Sequence, residues 1–506
     1  MEKLYLGDDG RHSLVILFLG WGFTPESFAG LRKPGSSILL LAGYEGLAGP
    51  EIDAEIKEFI SEKGLVFSEV VVIAWSFGVK AAAMFLETTD LPVTLSLAVN
   101  GTEYHIDNRR GIPSEIFNGT LDGLSEKTLA KFRLRCAGSR ANLGKLDEGE
   151  LERNTDIDTL RKELEWFAAL PAEPSPRRHS IWDKVVAGEE DRIFPLANQL
   201  EAWRGYDVFA IPGMNHLPDF RWLIDTFVVD KAKVVRKFTT ASRTYTDNAV
   251  AQRETANNLY DRFVMVFNKS GMKERLAGAK LSVLELGYGD GTFTRTYLGE
   301  MLPVCKEVTL ADINTPGDCG WIQELATDAG GDCVEFIQAD AEAEEFQQMA
   351  MRHESRDIIF SSSMFQWLNS PRQMLKRCAD ALRPGGIIAL SFYGPGTLKE
   401  IAETVGSGLK YPSSEWMGKI AGECDLDIES LESEENVILF DTPADALRHL
   451  RLTGVNALPA APSPAKARHM LNNWPLTTDG KASLTFHPVY MVLSKRDKHI
   501  SGNATS

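Results

Sequence analysis

The 506-residue chain has no apolar run long enough to cross a bilayer, which argues against a helical membrane span. Its first residues lack the basic, apolar, small-residue order of a secretory leader, so a soluble cytoplasmic protein is expected. Cysteine is scarce: Cys136, Cys305, Cys319, Cys333, Cys378 and Cys424 form no C-x-x-C pair and have no histidine at zinc spacing. Reduced structural thiols and no metal site are expected. A basic excess is also missing. The formal charge of −17 argues against general nucleic-acid binding, although a local basic patch could serve an acidic partner. What the chain does have is length and an ordinary 43% hydrophobic content, enough for two to four domains.

The apolar run Val70–Ala74 leads into Trp75-Ser76-Phe77-Gly78 and resumes as a helical pattern, so it reads as strand, sharp turn and helix. A serine at such an elbow is lifted clear of a sheet, beside the first N–H groups of a helix. Ala74 stands where the hydrolase elbow has its first glycine, and an ordinary strand-to-helix turn is the competing reading. Leu14 to Leu19 is a second buried strand, ending at Gly20-Trp21-Gly22-Phe23. The backbone N–H groups of Trp21 and Phe77 are the expected oxyanion pair. Ser37–Leu41 and Thr94–Asn100 are further strands, and their alternation with helical patterns predicts a mostly parallel α/β sheet. Strand signals stop over about residues 109–182, the place and size of a helical lid. That stretch carries Arg109, Arg110, Lys131, Arg133, Arg135, Arg140, Arg153, Arg161 and Lys162. Each alone reads as a solvated helix face, but their clustering suits an acidic carrier, with Arg133, Arg135 and Arg140 as candidate contacts. Lys184–Gly188 is then a strand before an acidic turn with Asp191, and Val208–Ile211 another before Pro212-Gly213-Met214-Asn215-His216. Ser76, Asp191 and His216 follow the chain order of α/β-hydrolase triads. They would act as nucleophile, imidazole orienter and base. Asp107 also follows a strand and is an alternative acid.

Gly20-Trp21-Gly22, Trp75-Ser76-Phe77-Gly78, Asn100-Gly101-Thr102, Gly111-Ile112-Pro113, Ile116 to Leu121 and Gly213 to His216 together resemble the pimeloyl-ACP methyl ester esterases of biotin synthesis, in their BioG form. The resemblance spans roughly Met1 to Phe227. It implies an α/β-hydrolase that cleaves the methyl ester of a pimeloyl chain borne by acyl carrier protein, with an apolar, basic-rimmed lid.

A short junction near Val229 divides the chain into expected domains of residues 1–228 and 229–506. Phe238 to Leu276 has helical periodicity. Ser282 to Phe293 then reads as strand, glycine loop and helix, with Gly287, Gly289 and Gly291 at alternate positions. The acid Glu285 inside the strand and the G-x-G-x-G spacing favour S-adenosylmethionine over a dinucleotide. Asp312, after the strand Glu307–Ala311, is placed for ribose hydroxyls. Asp340 and Ala341, after Val334–Ala339, are placed for adenine. Asp357–Ser363 and Ile387–Phe392 complete the expected strands, the second after a turn at Leu382–Gly386.

This set resembles class I, Rossmann-like, S-adenosylmethionine-dependent methyltransferases. Phe238–Tyr245 with Ala249 and Gln252, Ser363–Trp367, Ser391–Glu400 and Leu452–Asn456 resemble more narrowly the malonyl-ACP O-methyltransferases, the BioC form, over about Val234 to Lys498. Thr246 and Phe365 depart from that pattern. The implied acceptor is a malonyl carboxylate, ionised at neutral pH because carboxylates titrate near pH ~4. Tyr245, Gln366 and Trp367 are candidates for its pocket. The resulting expectation is a bifunctional enzyme that installs and removes a methyl ester on carrier-bound acyl chains. A serine hydrolase fused to a small-molecule or quinone-type methyltransferase is the alternative.

Overall fold

The computed structural model describes residues 1–7, 13–146, 156–269, 280–314, 320–328, 333–405, 410–454 and 464–496, except the side chains at 243, 246, 328, 405 and 464–466. Cys319, Arg153, Leu276, Val455, Asn456, Lys498 and the Thr246 side chain lie outside the described residues. The chain divides into two compact units, Met1–Ile224 and Asp225–Ser506.

In the first unit the strands are β1 (Glu2–Leu6), β2 (Ser13–Phe18), β3 (Ser37–Ala42), β4 (Glu69–Trp75), β5 (Val93–Val99), β6 (Lys184–Gly188) and β7 (Val208–Ile211). Among the described residues they form one seven-stranded sheet, ordered β1-β3-β2-β4-β5-β6-β7. β1 runs antiparallel to β3, and the other neighbours pair parallel. Parallel strands covered on both faces read as unbroken apolar runs, and β4 is buried from Val70 to Trp75. Between β5 and β6 the chain leaves the sheet as helices Ser114–Asp122, Glu126–Ala137, Arg140–Leu143 and Ile157–Ala169. The helix at Glu126 starts because Ser125 Oγ accepts the Thr128 N–H, and it stops at Gly138, whose φ is 72°. It buries Leu129, Arg133, Cys136 and Ala137, positions three and four apart that share one face.

The second unit opens with helix Lys231–Asn248, capped by Asp230, and after a break at Ala249 continues as helix Val250–Lys269. Helix thus begins ahead of the expected Phe238. Its strands are β8 (Leu281–Leu286), β9 (Cys305–Asp312), β10 (Val334–Gln338), β11 (Arg356–Ser362), β12 (Leu382–Tyr393), β13 (Leu426–Ser433), β14 (Asn436–Phe440), β15 (Ala482–Phe486) and β16 (Pro488–Lys495). The main sheet is ordered β10-β9-β8-β11-β12-β16-β13, and β14 pairs with β15. β16 runs antiparallel to both β12 and β13. Alternate residues serve two helical layers. Leu284, Ile359 and Ile388 pack with Met374, Leu375 and Cys378, while Val283, Ile358 and Ile387 pack with Leu259 and Phe263. β12 begins at Leu382, ahead of the expected Ile387, because Leu382 already pairs with Arg356 and Gly385 takes up the turn at φ 75°. The strand order reverses between β8 and β11. Open α/β sheets bind ligands in the crevice beyond the carboxyl ends at such a point.

Candidate functional site

At the end of β4, Ser76 has φ 60°, a left-handed conformation that a serine keeps only where its surroundings impose it. Helix Gly78–Leu86 follows at once. A Cβ on Gly78 would lie 2.4 Å from Phe18 O, so only glycine lets the helix start this close to β2. Ser76 Oγ lies 2.9 Å from His216 Nε2. His216 Nδ1 in turn lies 2.9 Å from Asp191 Oδ2 and 3.1 Å from Oδ1. All three residues are buried. Asp191 is held in place by the N–H groups of Ile193 (2.8 Å) and Phe194 (2.9 Å) and by Gln199 Nε2 (3.2 Å). The alternative acid, Asp107, stands elsewhere: it accepts from the N–H groups of Arg109 and Arg110 and pairs with the Arg110 guanidinium.

Gly20 brings its loop against the serine, since a Cβ there would meet Ser76 Cβ at 2.7 Å. Among the described residues the backbone N–H groups of Trp21 and Phe77 donate to no protein acceptor. The Trp21 indole donates to Leu160 O at 2.9 Å, tying the loop to the helical insert. Arg133 differs from the other candidate carrier contacts. Its side chain is buried and Nε donates to Gly22 O at 2.8 Å, so it braces this loop from inside. Arg135 and Arg140 are exposed.

Asn100 is a residue the sequence reading left without a role. Its side chain donates to Asn215 O and His216 O, both at 2.9 Å, and accepts from the Gly188 N–H at 2.7 Å. It therefore knots the ends of β5 and β6 to the histidine loop. The Trp75 indole donates to the same His216 carbonyl at 2.7 Å, and Phe194 stacks on the imidazole at 6.0 Å between ring centres.

In the second unit the loop after β8 carries Gly287, Gly289 and Gly291 at φ 76°, 57° and 79°. A Cβ on Gly287 would strike Met364 at 2.6 Å, whereas nothing lies within 4 Å of one on Gly289. The loop is thus packed at its base and open at its tip, which suits a ligand lying on the backbone. Asp312 closes β9 and accepts from the Gly289 N–H (3.0 Å) and the Asn314 N–H (2.7 Å). Burial raises its carboxyl above the ordinary aspartate value, opposed by those N–H bonds. Asp340 accepts from the Glu342 N–H and faces Lys231, and Ala341 stays half-buried beside it. Glu285 braces the loop from inside. Its Oε2 accepts from Thr294 Oγ1 (2.9 Å) and Tyr297 Oη (2.7 Å), Oε1 has no partner among the described residues, and burial pushes the carboxyl up to about 7. These features fit S-adenosylmethionine: an open glycine cradle, a carboxylate at the next strand end, and a third acid beyond it. Tyr245 and Trp367 both pack on Phe238, at 6.1 and 5.6 Å between ring centres. Gln366 is buried and donates to Ser363 O at 2.6 Å. No cluster of metal-ligating side chains occurs among the described residues.

Residues 1–218 match the family described as Pimeloyl-ACP methyl esterase BioG, and residues 284–390 match one described as Methyltransferase domain. A Malonyl-[acyl-carrier protein] O-methyltransferase of Bacteroides fragilis (strain 638R) is 30% identical over 501 residues, covering 96% of this chain and 94% of that protein. One of Chlorobium phaeovibrioides (strain DSM 265 / 1930) is 32% identical over 275 residues, covering 53% of this chain and 98% of that protein. Among solved structures, BioG from Haemophilus influenzae matches 43% of this chain and 94% of its own at 24% identity, with a TM-score of 0.34.

Proposed function

Because the chain belongs to the malonyl-[acyl-carrier protein] O-methyltransferase family, we propose that it is a two-headed enzyme of biotin synthesis. The second unit methylates the free carboxylate of a malonyl thioester, and the first hydrolyses the methyl ester of a pimeloyl thioester to the acid and methanol. The observation that carries this reading is the presence, in one chain, of a hydrogen-bonded Ser76–His216–Asp191 series and a glycine cradle closed by Asp312.

In the first unit, His216 Nε2 takes the Ser76 proton as Oγ attacks the ester carbonyl, and the proton then goes to the departing methanol. Water repeats the sequence in reverse roles and frees the serine. Asp191 holds Nδ1–H in place and stabilises the imidazolium without taking the proton. The free N–H groups of Trp21 and Phe77 are the donors for the developing oxyanion.

In the second unit, Gly287, Gly289, Gly291, Asp312, Asp340 and Ala341 would hold S-adenosylmethionine, the methyl donor. When bound, it supplies an electrophilic methyl group that an ionised carboxylate accepts with no proton removed. The protein's part is positioning, and near-attack alignment can supply several kcal/mol. Tyr245, Gln366 and Trp367 would shape the acceptor side.

An acyl carrier protein, acidic by this reading, would meet exposed basic residues such as Arg135 and Arg140, and the site of action would be the cytoplasm. Parallel incubations with labelled S-adenosylmethionine and either malonyl-carrier or small aromatic acceptors test the reading. Label appearing as a carboxyl methyl ester supports it. Label appearing only on small aromatic acceptors favours a hydrolase fused to an unrelated methyltransferase.

A further inference from the structure

Beyond the carboxyl ends of β11 and β12, the second unit gathers buried polar side chains that the protein leaves unpaired. Ser363 follows β11, at φ 57°, and Tyr393 closes β12. Gln252 lies on the buried face of helix Val250–Lys269, one turn before Thr255. Gln252 is 4% exposed and Tyr393 2%. Neither amide atom of Gln252, nor Ser363 Oγ, nor Tyr393 Oη has a hydrogen-bond partner among the described residues. Tyr393 Oη is flanked by the Thr255 and Ser363 hydroxyls, at distances or angles that leave it unpaired. The Thr255 hydroxyl is already committed to Ala251 O at 2.8 Å. Gln366 holds the turn, its amide donating to Ser363 O at 2.6 Å.

Buried polar groups are ordinarily satisfied, because leaving them dry and unpaired costs the full desolvation of each. Several lying near one set of strand ends, with Ala251 beside Gln252 packed in the same apolar cluster as Tyr393, signal a ligand. The cluster borders the glycine cradle: β8, β11 and β12 are neighbours in the sheet, and Met364, next to Ser363, packs against Gly287, where a Cβ would meet it at 2.6 Å. The charged side chains that bear on Tyr245 and Tyr393 are Asp290, Asp312 and Glu254, all acidic. Burial pushes the Tyr393 phenol up to about 12, so it stays a proton donor at neutral pH. The free donors are therefore one amide and two hydroxyls, all uncharged.

We propose that Gln252, Ser363 and Tyr393 form the seat of the methyl acceptor, an uncharged hydrogen-bonding cradle for a carboxylate. This rests on the methyl-transfer reading above and specifies how it recognises its substrate. A lysine or arginine partner would bind the anion tightly and draw on the lone pair that must attack carbon. Neutral donors orient it and leave it nucleophilic.

Tyr393→Phe and Gln252→Met, made in the full chain, test the seat because they remove the polar atoms and keep most of the volume. KM for malonyl-carrier is expected to rise about tenfold in each, the worth of one hydrogen bond to a charged group. S-adenosylhomocysteine affinity, read by calorimetry, should stay within about twofold of the parent, and the thermal midpoint should hold or rise as an unpaired group leaves the interior. Unchanged KM in both variants, or a parallel loss of S-adenosylhomocysteine binding, overturns the seat while the reaction stands. Parent enzyme that methylates no malonyl thioester overturns the reaction and the seat together.

Discussion

Asp191 receives four donors: the imidazole, two backbone N–H groups and an amide. That fixes the carboxylate independently of the histidine, so the imidazole has one stable orientation. Asp191→Asn should keep the fold and lower ester kcat roughly 10³- to 10⁴-fold by presenting the wrong tautomer. Asp107→Asn, which breaks a partly exposed pair with Arg110, should leave kcat within about twofold and cost at most about 1 kcal/mol of stability. Ester hydrolysis assays on the two variants decide between the acids, and equal losses would contradict the assignment. Glu285 makes a different prediction. Its folded value, about 7, lies above the ordinary glutamate value. The native state therefore binds the proton more tightly than the unfolded chain, and stability falls as pH rises between them. In Glu285→Gln that slope should flatten, by about 1.4 kcal/mol per pH unit where the group titrates fully. Denaturant unfolding from about pH 4.5 to pH 7 reads it; an unaltered slope would show that Glu285 is not its source.

Among the elements, the loop Gly20–Phe23 has the most consequential setting. Its backbone faces Ser76 on one side and is tied to the helical insert by the Trp21 indole and the Arg133 guanidinium on the other. Arg133→Met keeps the aliphatic stem and loses the tie to Gly22 O. Ester kcat should fall about tenfold with KM little changed, as expected when a hydrogen bond to a charged donor positions the oxyanion loop. Methyl transfer in the same protein should be untouched. Arg133 also shows where sequence reading stops. The elbow at Ser76 is legible because an all-apolar strand, a serine and a glycine fall within one short stretch, each required by local geometry. A basic side chain on an amphipathic helix reads as solvated until the loop it reaches, far away in sequence, is known. Asn100 was missed for the same reason, as its partners come from the end of β6 and the histidine loop after β7. The glycine loop and Asp312 could be located because they follow the apolar strands β8 and β9, and Asp340 because it follows the half-exposed edge strand β10. β13 was not, because Leu426–Ser433 is an edge strand rich in acids, and its partner β16 lies more than fifty residues later.

For the molecule as a whole, the two activities oppose each other, and their coexistence needs a physical reason. Elongating enzymes carry growing chains in apolar tunnels, where an anionic tip costs several kcal/mol to desolvate. A methyl ester removes that charge, and its hydrolysis restores the acid once the chain is long enough. On the proposed reading the esterase must therefore distinguish acyl lengths, a task that would fall to the helical insert. Malonyl methyl ester should survive the enzyme while pimeloyl methyl ester is cleaved. Ser76→Ala should lower cleavage on the order of 10⁴-fold or more and leave methylation intact.

Mass spectrometry of intact carrier protein tests the central claim most directly. The account predicts that malonyl-carrier with S-adenosylmethionine gains one methyl group, and that pimeloyl methyl ester carrier loses one on the same enzyme. It also predicts that the second change vanishes in Ser76→Ala while the first persists. Carrier masses that stay unchanged in both incubations with the parent enzyme would contradict it.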